Sequence, residues 1–74
     1  MISDSGLAKE ISDLMLDIFR RIDESCATVR ARCSADEASA YQKAAGRIAA
    51  EVVMDVLEPL YEKNPTLKPH NWDA

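Results

Sequence analysis

"ARCSADEA", residues 31–38, decides the fold. The Ser34 hydroxyl can accept the Glu37 amide while the Glu37 carboxylate reaches back to the Ser34 amide, a reciprocal pairing that starts a helix. Asp36 and Glu37 also suit the positive end of a helix dipole. A helix start directly after Arg32-Cys33 predicts a tight turn between two antiparallel helices, although the glycine that usually closes a helix is missing. The competing reading is one uninterrupted long helix.

Upstream of the turn, Leu7, Ile11, Leu14, Ile18, Ile22, Cys26 and Val29 recur at spacings of three and four, the period of one helical face. Glu10, Asp13, Asp17, Arg20, Arg21 and Glu24 fall on the opposite side, so helix one is expected over about residues 5–32. A hydroxyl or carboxylate near Ser3 or Ser5 would cap its first turn. Downstream, Ala38, Tyr41, Ala45, Ile48, Val52, Val56 and Leu60 repeat in the same way up to the Asn64-Pro65 stop, which predicts helix two over about residues 35–63. Pro59 removes an amide that would bond to Asp55, and a kink or early end is expected there.

Residues 1–64 thus read as a helical hairpin and residues 65–74, "NPTLKPHNWDA" without its first residue, as an extended tail. The tail holds two of the three prolines, the only His and the only Trp, and can lie back on the hairpin through Leu67 and Trp72.

A chain of 74 residues, 47% hydrophobic and 30% charged, is one small domain at most. A core of this size rarely supplies more than about 3–5 kcal/mol, so a further stabilising device is expected. Beyond its main stripe, helix two carries Ala50, Met54, Leu57 and Tyr61, displaced by about 100° or more around the wheel, and helix one broadens through Met15, Leu16, Phe19 and Cys26. One neighbouring helix cannot cover both stripes. The fold class expected is therefore all-α: a two-helix hairpin that pairs with a second copy into an antiparallel four-helix bundle. The interface of that homodimer is expected at Met15, Leu16, Phe19, Ile22, Ala50, Met54, Leu57 and Tyr61. The alternative is that the tail alone covers the second stripe.

Charge supplies an orientation. Residues 4–17 and 51–62, the open end, hold eight acids (Asp4, Glu10, Asp13, Asp17, Glu51, Asp55, Glu58, Glu62) against Lys9 alone. Residues 18–50, the turn half, hold Arg20, Arg21, Arg30, Arg32, Lys43 and Arg47 against Asp23, Glu24, Asp36 and Glu37. Two hairpins with turns at opposite ends set acidic halves against basic ones, whereas same-end packing opposes like charges. Surface pairs are worth only about 0–1 kcal/mol each, so charge selects orientation without driving assembly. Midway, Ala44, Ala45, Gly46, Ala49 and Ala50 form a patch of small residues. Gly46 costs about 1 kcal/mol relative to Ala in a helix interior, which suggests a notch for a bulky group.

Little of the sequence reads as catalytic chemistry. On one helix Cys26 and Cys33 stand about 10.5 Å apart by helical rise, beyond the roughly 7 Å limit for a disulfide. Zinc sites favour closer spacing and about four ligands, so both cysteines read as packing residues. The acidic stripes of Glu10, Asp13 and Asp17 and of Glu51, Asp55, Glu58 and Glu62 lack the Glu-x-x-His motif of di-metal bundles and read as solvated faces. Without a phosphate-binding glycine loop or a Ser-His-Asp or Cys-His arrangement, neither enzymatic activity nor any cofactor or metal is expected.

Two binding functions remain. The first is a small oligomeric adaptor, regulator or cochaperone that docks a protein partner on its bundle surface or on Leu67, His70 and Trp72. The second is an RNA- or DNA-binding hairpin dimer using Arg20, Arg21, Arg30, Arg32, Lys43 and Arg47. Nucleic acid is the less favoured partner because the net charge is −4. Charges interrupt every apolar run and the first ten residues do not read as a signal peptide, so a cytoplasmic location and no membrane partner are expected.

Overall fold

In a computed structural model, which describes residues 1–70 and 72, the chain is an antiparallel helical hairpin measuring 45 × 21 × 16 Å. Helix α1 spans Ser5–Arg32 and α2 spans Ala35–Glu51; a π-helical segment, Val52–Leu57, leads into α3, Glu58–Lys63, and a 3-10 turn, Pro65–Leu67, follows. No described helix is long and apolar enough to cross a membrane.

Side chains fix both helix starts. The Asp4 carboxylate accepts the amides of Gly6 and Leu7 at 3.0 and 3.2 Å, so the capping group of α1 is the acid between the two serines. At α2 the full capping box forms: the Glu37 amide donates to Ser34 Oγ and the Ser34 amide to Glu37 Oε1, each at 3.2 Å. The missing glycine has a simple explanation. Cys33 and Ser34 both adopt extended backbone angles, so the chain reverses without any residue of positive φ.

The second arm stays helical from Ala35 to Lys63, and Pro59 is accommodated without a break. A proline at 59 deprives the Asp55 carbonyl of its α-helical donor and crowds it. The preceding segment widens to i→i+5 bonding, with the Glu58 amide donating to the Val53 carbonyl. The cost is one extra residue per turn, which rotates everything beyond it by about 100° relative to an unbroken α-helix.

That rotation places the core. Ala8, Leu57, Leu60 and Tyr61 are buried together at the open end, surrounded by Ile2, Ile11, Met15, Leu16, Val52, Val53, Leu67 and Trp72. Tyr61 Oη and Ser12 Oγ share a buried hydrogen bond of 2.7 Å across the two arms. Buried Asn64 ties the end of the second arm to the segment before α1, its side-chain amide donating to the carbonyls of Ile2 at 2.7 Å and Leu60 at 3.2 Å. The turn half is thinner: Ala38 and Ala45 are its only buried apolar residues.

The tail differs from the extended segment expected. After the 3-10 turn a hydrogen bond from the Trp72 amide to the Pro69 carbonyl folds it again. Trp72 then meets the Tyr61 ring edge-on, centroids 5.2 Å apart and planes at 84°. Leu67 and Trp72 both pack on the core cluster, which is the return to the hairpin that their apolar character suggested.

Candidate functional site

A two-helix hairpin has two broad sides, and here they differ. On the first, which we call the front, Ser25 of α1 and Tyr41 of α2 meet through their hydroxyls at 2.7 Å. Ser25 Oγ also donates to the Ile22 carbonyl at 2.6 Å, so the Tyr41 hydroxyl is the donor in the bridge between helices. Helical spacing from these two residues places Leu7, Ile11, Leu14 and Ile18 of α1 and Ile48 of α2 on the same side. Leu14 is 50% exposed and Ile48 57% exposed; Leu7 and Tyr41 are exposed as well, and no described part of the tail lies over them.

Here the structure corrects the sequence reading. Of the main stripes, Ile22, Ala38 and Ala45 do lie in the seam between the arms, but Leu7, Leu14, Tyr41 and Ile48 stay exposed, and Ala8, Ser12 and Met15, one position to the side on α1, take the inward places instead. The reason is volume: Ala8 and the short, hydrogen-bonding Ser12 leave room for Leu57, Leu60 and Tyr61, and larger residues at those positions would not. Ala8 and Ser12, two small residues one turn apart beside the apolar stripe, were the available signal.

The other broad side, the back, holds the residues expected at the dimer interface. Leu57 is 0% exposed and Tyr61 is also buried, so both fill the chain's own core and neither is available to a second copy. The extra residue of the π segment is what turned them inward. Met15, Leu16 and Ile22 are half-buried, Met15 and Leu16 against that core, while Phe19, Ala50 and Met54 stay exposed. Over the open half of the back the tail closes down, leaving a cleft of about 270 Å³ among Leu16, Phe19, Val53, Leu57, Pro69 and Trp72. Toward the turn a shallow groove of about 380 Å³ runs on past Phe19, Ile22 and Cys26 to Ala45, Gly46 and Ala49. A methyl group placed on Gly46 would meet nothing within 4 Å, so the helix pairing inside this chain does not require a glycine there.

Of the tail residues expected to dock a partner, Leu67 and Trp72 are engaged with the core and His70 is exposed. Of the six basic residues of the turn half, Arg20 and Arg21 are ion-paired along their own helix. Arg20 donates to Asp17 at 2.6 Å and also pairs with Glu24, and Arg21 lies 3.2 Å from Asp17. The hydrogen bond from Arg20 holds the Asp17 carboxyl below its usual range, and the same contact raises the Arg20 guanidinium. Asp13 likewise raises Lys9, whose Nζ donates to it at 2.8 Å. Arg30, Arg32, Lys43 and Arg47 are exposed without an ion-pair partner among the described residues. Cys26, half-buried, and Cys33, exposed, are free thiols. Among the described residues no three His, Cys, Asp or Glu side chains group as metal ligands.

Compared with known protein families, curated proteins and solved structures, the chain matches none.

Proposed function

We propose that this chain is a cytoplasmic protein-interaction module whose working unit is a homodimer, two hairpins packed as an antiparallel four-helix bundle. The observation that supports it is the uncovered apolar front, with Leu7, Leu14, Tyr41 and Ile48 exposed along most of the hairpin's length. Isolated exposed leucines mean little, but a contiguous apolar side on a small domain marks a contact surface. The thin turn half, whose buried apolar residues are two alanines, argues the same way, because a core this small gains most from being extended by a partner. Two free thiols suit a reducing compartment.

An RNA- or DNA-binding role has less behind it. Asp17 and Glu24 neutralise Arg20 and Arg21, and the net charge of −4 opposes a polyanion. Docking through the tail is also less favoured, since Leu67 and Trp72 are already engaged.

Sedimentation equilibrium across a wide concentration range tests the proposal. A mass twice that of the 8.2 kDa chain is expected at micromolar concentration. A helical monomer throughout would overturn it.

A further inference from the structure

We infer that the second copy packs on the front, with the two-fold axis crossing the hairpin at the level of residues 19 and 49, so that Arg47 of each copy meets Glu51 of the other. This inference rests on the self-association proposed above and specifies its surface.

Three observations place it there. The front's exposed apolar residues lie on both arms and reach from near the open end, at Leu7, to beyond the midpoint, at Ile48 and Tyr41. The back is already in use at its open half, where Pro69 and Trp72 would collide with another hairpin laid across it. A broad side of 45 by 21 Å also has room for the roughly 800 Å² that each partner commonly contributes to a stable interface.

Charge then chooses the orientation. With turns at opposite ends, α1 lies antiparallel on the α1 of the second copy, and α2 on its α2. The arms are nearly equal in length, so like helices cross at their midpoints, close to Phe19 on α1 and Ala49 on α2. Residues equally far above and below the crossing then face one another. On α2 those are Arg47 and Glu51, both exposed and neither ion-paired among the described residues. Ile48 of one copy approaches Ile48 of the other beside them. On α1, Arg21 and Asp17 stand at the corresponding levels. Same-end packing would bring the two acidic open ends together instead.

The test is sedimentation equilibrium on full-length variants, with circular dichroism confirming that each stays helical. Leu14→Glu and Ile48→Glu alter residues already half or more exposed, and each should abolish the dimer without unfolding the hairpin. Arg47→Glu alone and Glu51→Arg alone should each weaken association about tenfold or more, and the double exchange should restore it to within about threefold. If Leu14→Glu and Ile48→Glu leave the dimer intact while Ala50→Glu abolishes it, the interface is on the back and the inference is overturned with self-association intact. If the double exchange restores nothing, the axis is misplaced. A wild-type monomer overturns the underlying proposal itself.

Discussion

Tyr61 makes two contacts that hold the open end together: its ring packs edge to face with Trp72 of the tail, and its hydroxyl shares a buried hydrogen bond with Ser12 of the other arm. Removing that hydroxyl leaves Ser12 Oγ buried with only its own helix to bond, so Tyr61→Phe is expected to cost about 1–2 kcal/mol in urea unfolding. The cost of Tyr61→Phe with Ser12→Ala should fall short of the sum of the two single changes, because the pair then leaves no orphaned group. Asp17 is a second residue with a readable consequence. Its carboxyl is held below the ordinary value of 3.8, chiefly by the hydrogen bond from Arg20. A depressed carboxylate contributes stability that is full above the unfolded value and is lost as pH falls through the folded one. The side-chain resonance of Asp17 should therefore titrate below 3.8, and in Arg20→Gln the midpoint should move up toward it. Since the group is exposed, the effect on overall stability is small.

At the scale of elements, the turn and the π segment do most to shape the molecule. The capping box at Ser34 was legible because its grammar is local, four consecutive residues with hydroxyl and carboxylate at fixed offsets. Ser34→Ala should lower stability by about 1 kcal/mol and leave the hairpin topology unchanged. Helix limits were legible for the same reason. Which face turned inward was not, for two physical causes. On α1 the buried line includes Ser12, a polar residue whose partner sits 49 positions away and so leaves no local trace. On the second arm, the answer to Pro59 was an extra residue in the turn before it, where a kink or stop was expected, and that shifts the phase of the apolar pattern. Leu57 and Met54 report the shift directly. Leu57→Ala should cost about 2–5 kcal/mol, since it empties a fully buried site. Met54→Ala, at a position 64% exposed, should stay within about 0.5 kcal/mol in the monomer.

For the molecule as a whole, the two broad sides have separate uses. The tail returns to the back and completes the core at the open end, which leaves the front as the apolar side uncovered along most of its length and the back open only toward the turn. Sequence periodicity found both apolar stripes, and each divides between core and surface: Ala38, Ala45 and Leu60 of the main stripe are buried, as are Leu57 and Tyr61 of the second, while Leu7, Leu14, Tyr41 and Ile48 of the main stripe and Phe19 and Met54 of the second stay exposed. A two-helix wheel cannot make that division when both stripes are equally apolar. The charge gradient from the acidic open end to the more basic turn survived intact, since it depends on position along the hairpin and not on rotation about each helix. It is this gradient that makes an antiparallel pair the favoured assembly.

The most direct test uses a thiol the chain already has. Cys33 is exposed in the turn, so a nitroxide attached there in the Cys26→Ala variant marks one end of each hairpin. Electron spin resonance of the dipolar kind then measures the separation of the two turns. The account predicts a distance of about 40 Å, the length of α1 at 1.5 Å rise per residue. A distance under about 25 Å would place both turns at the same end and contradict the antiparallel bundle; no dipolar coupling at all would contradict the dimer.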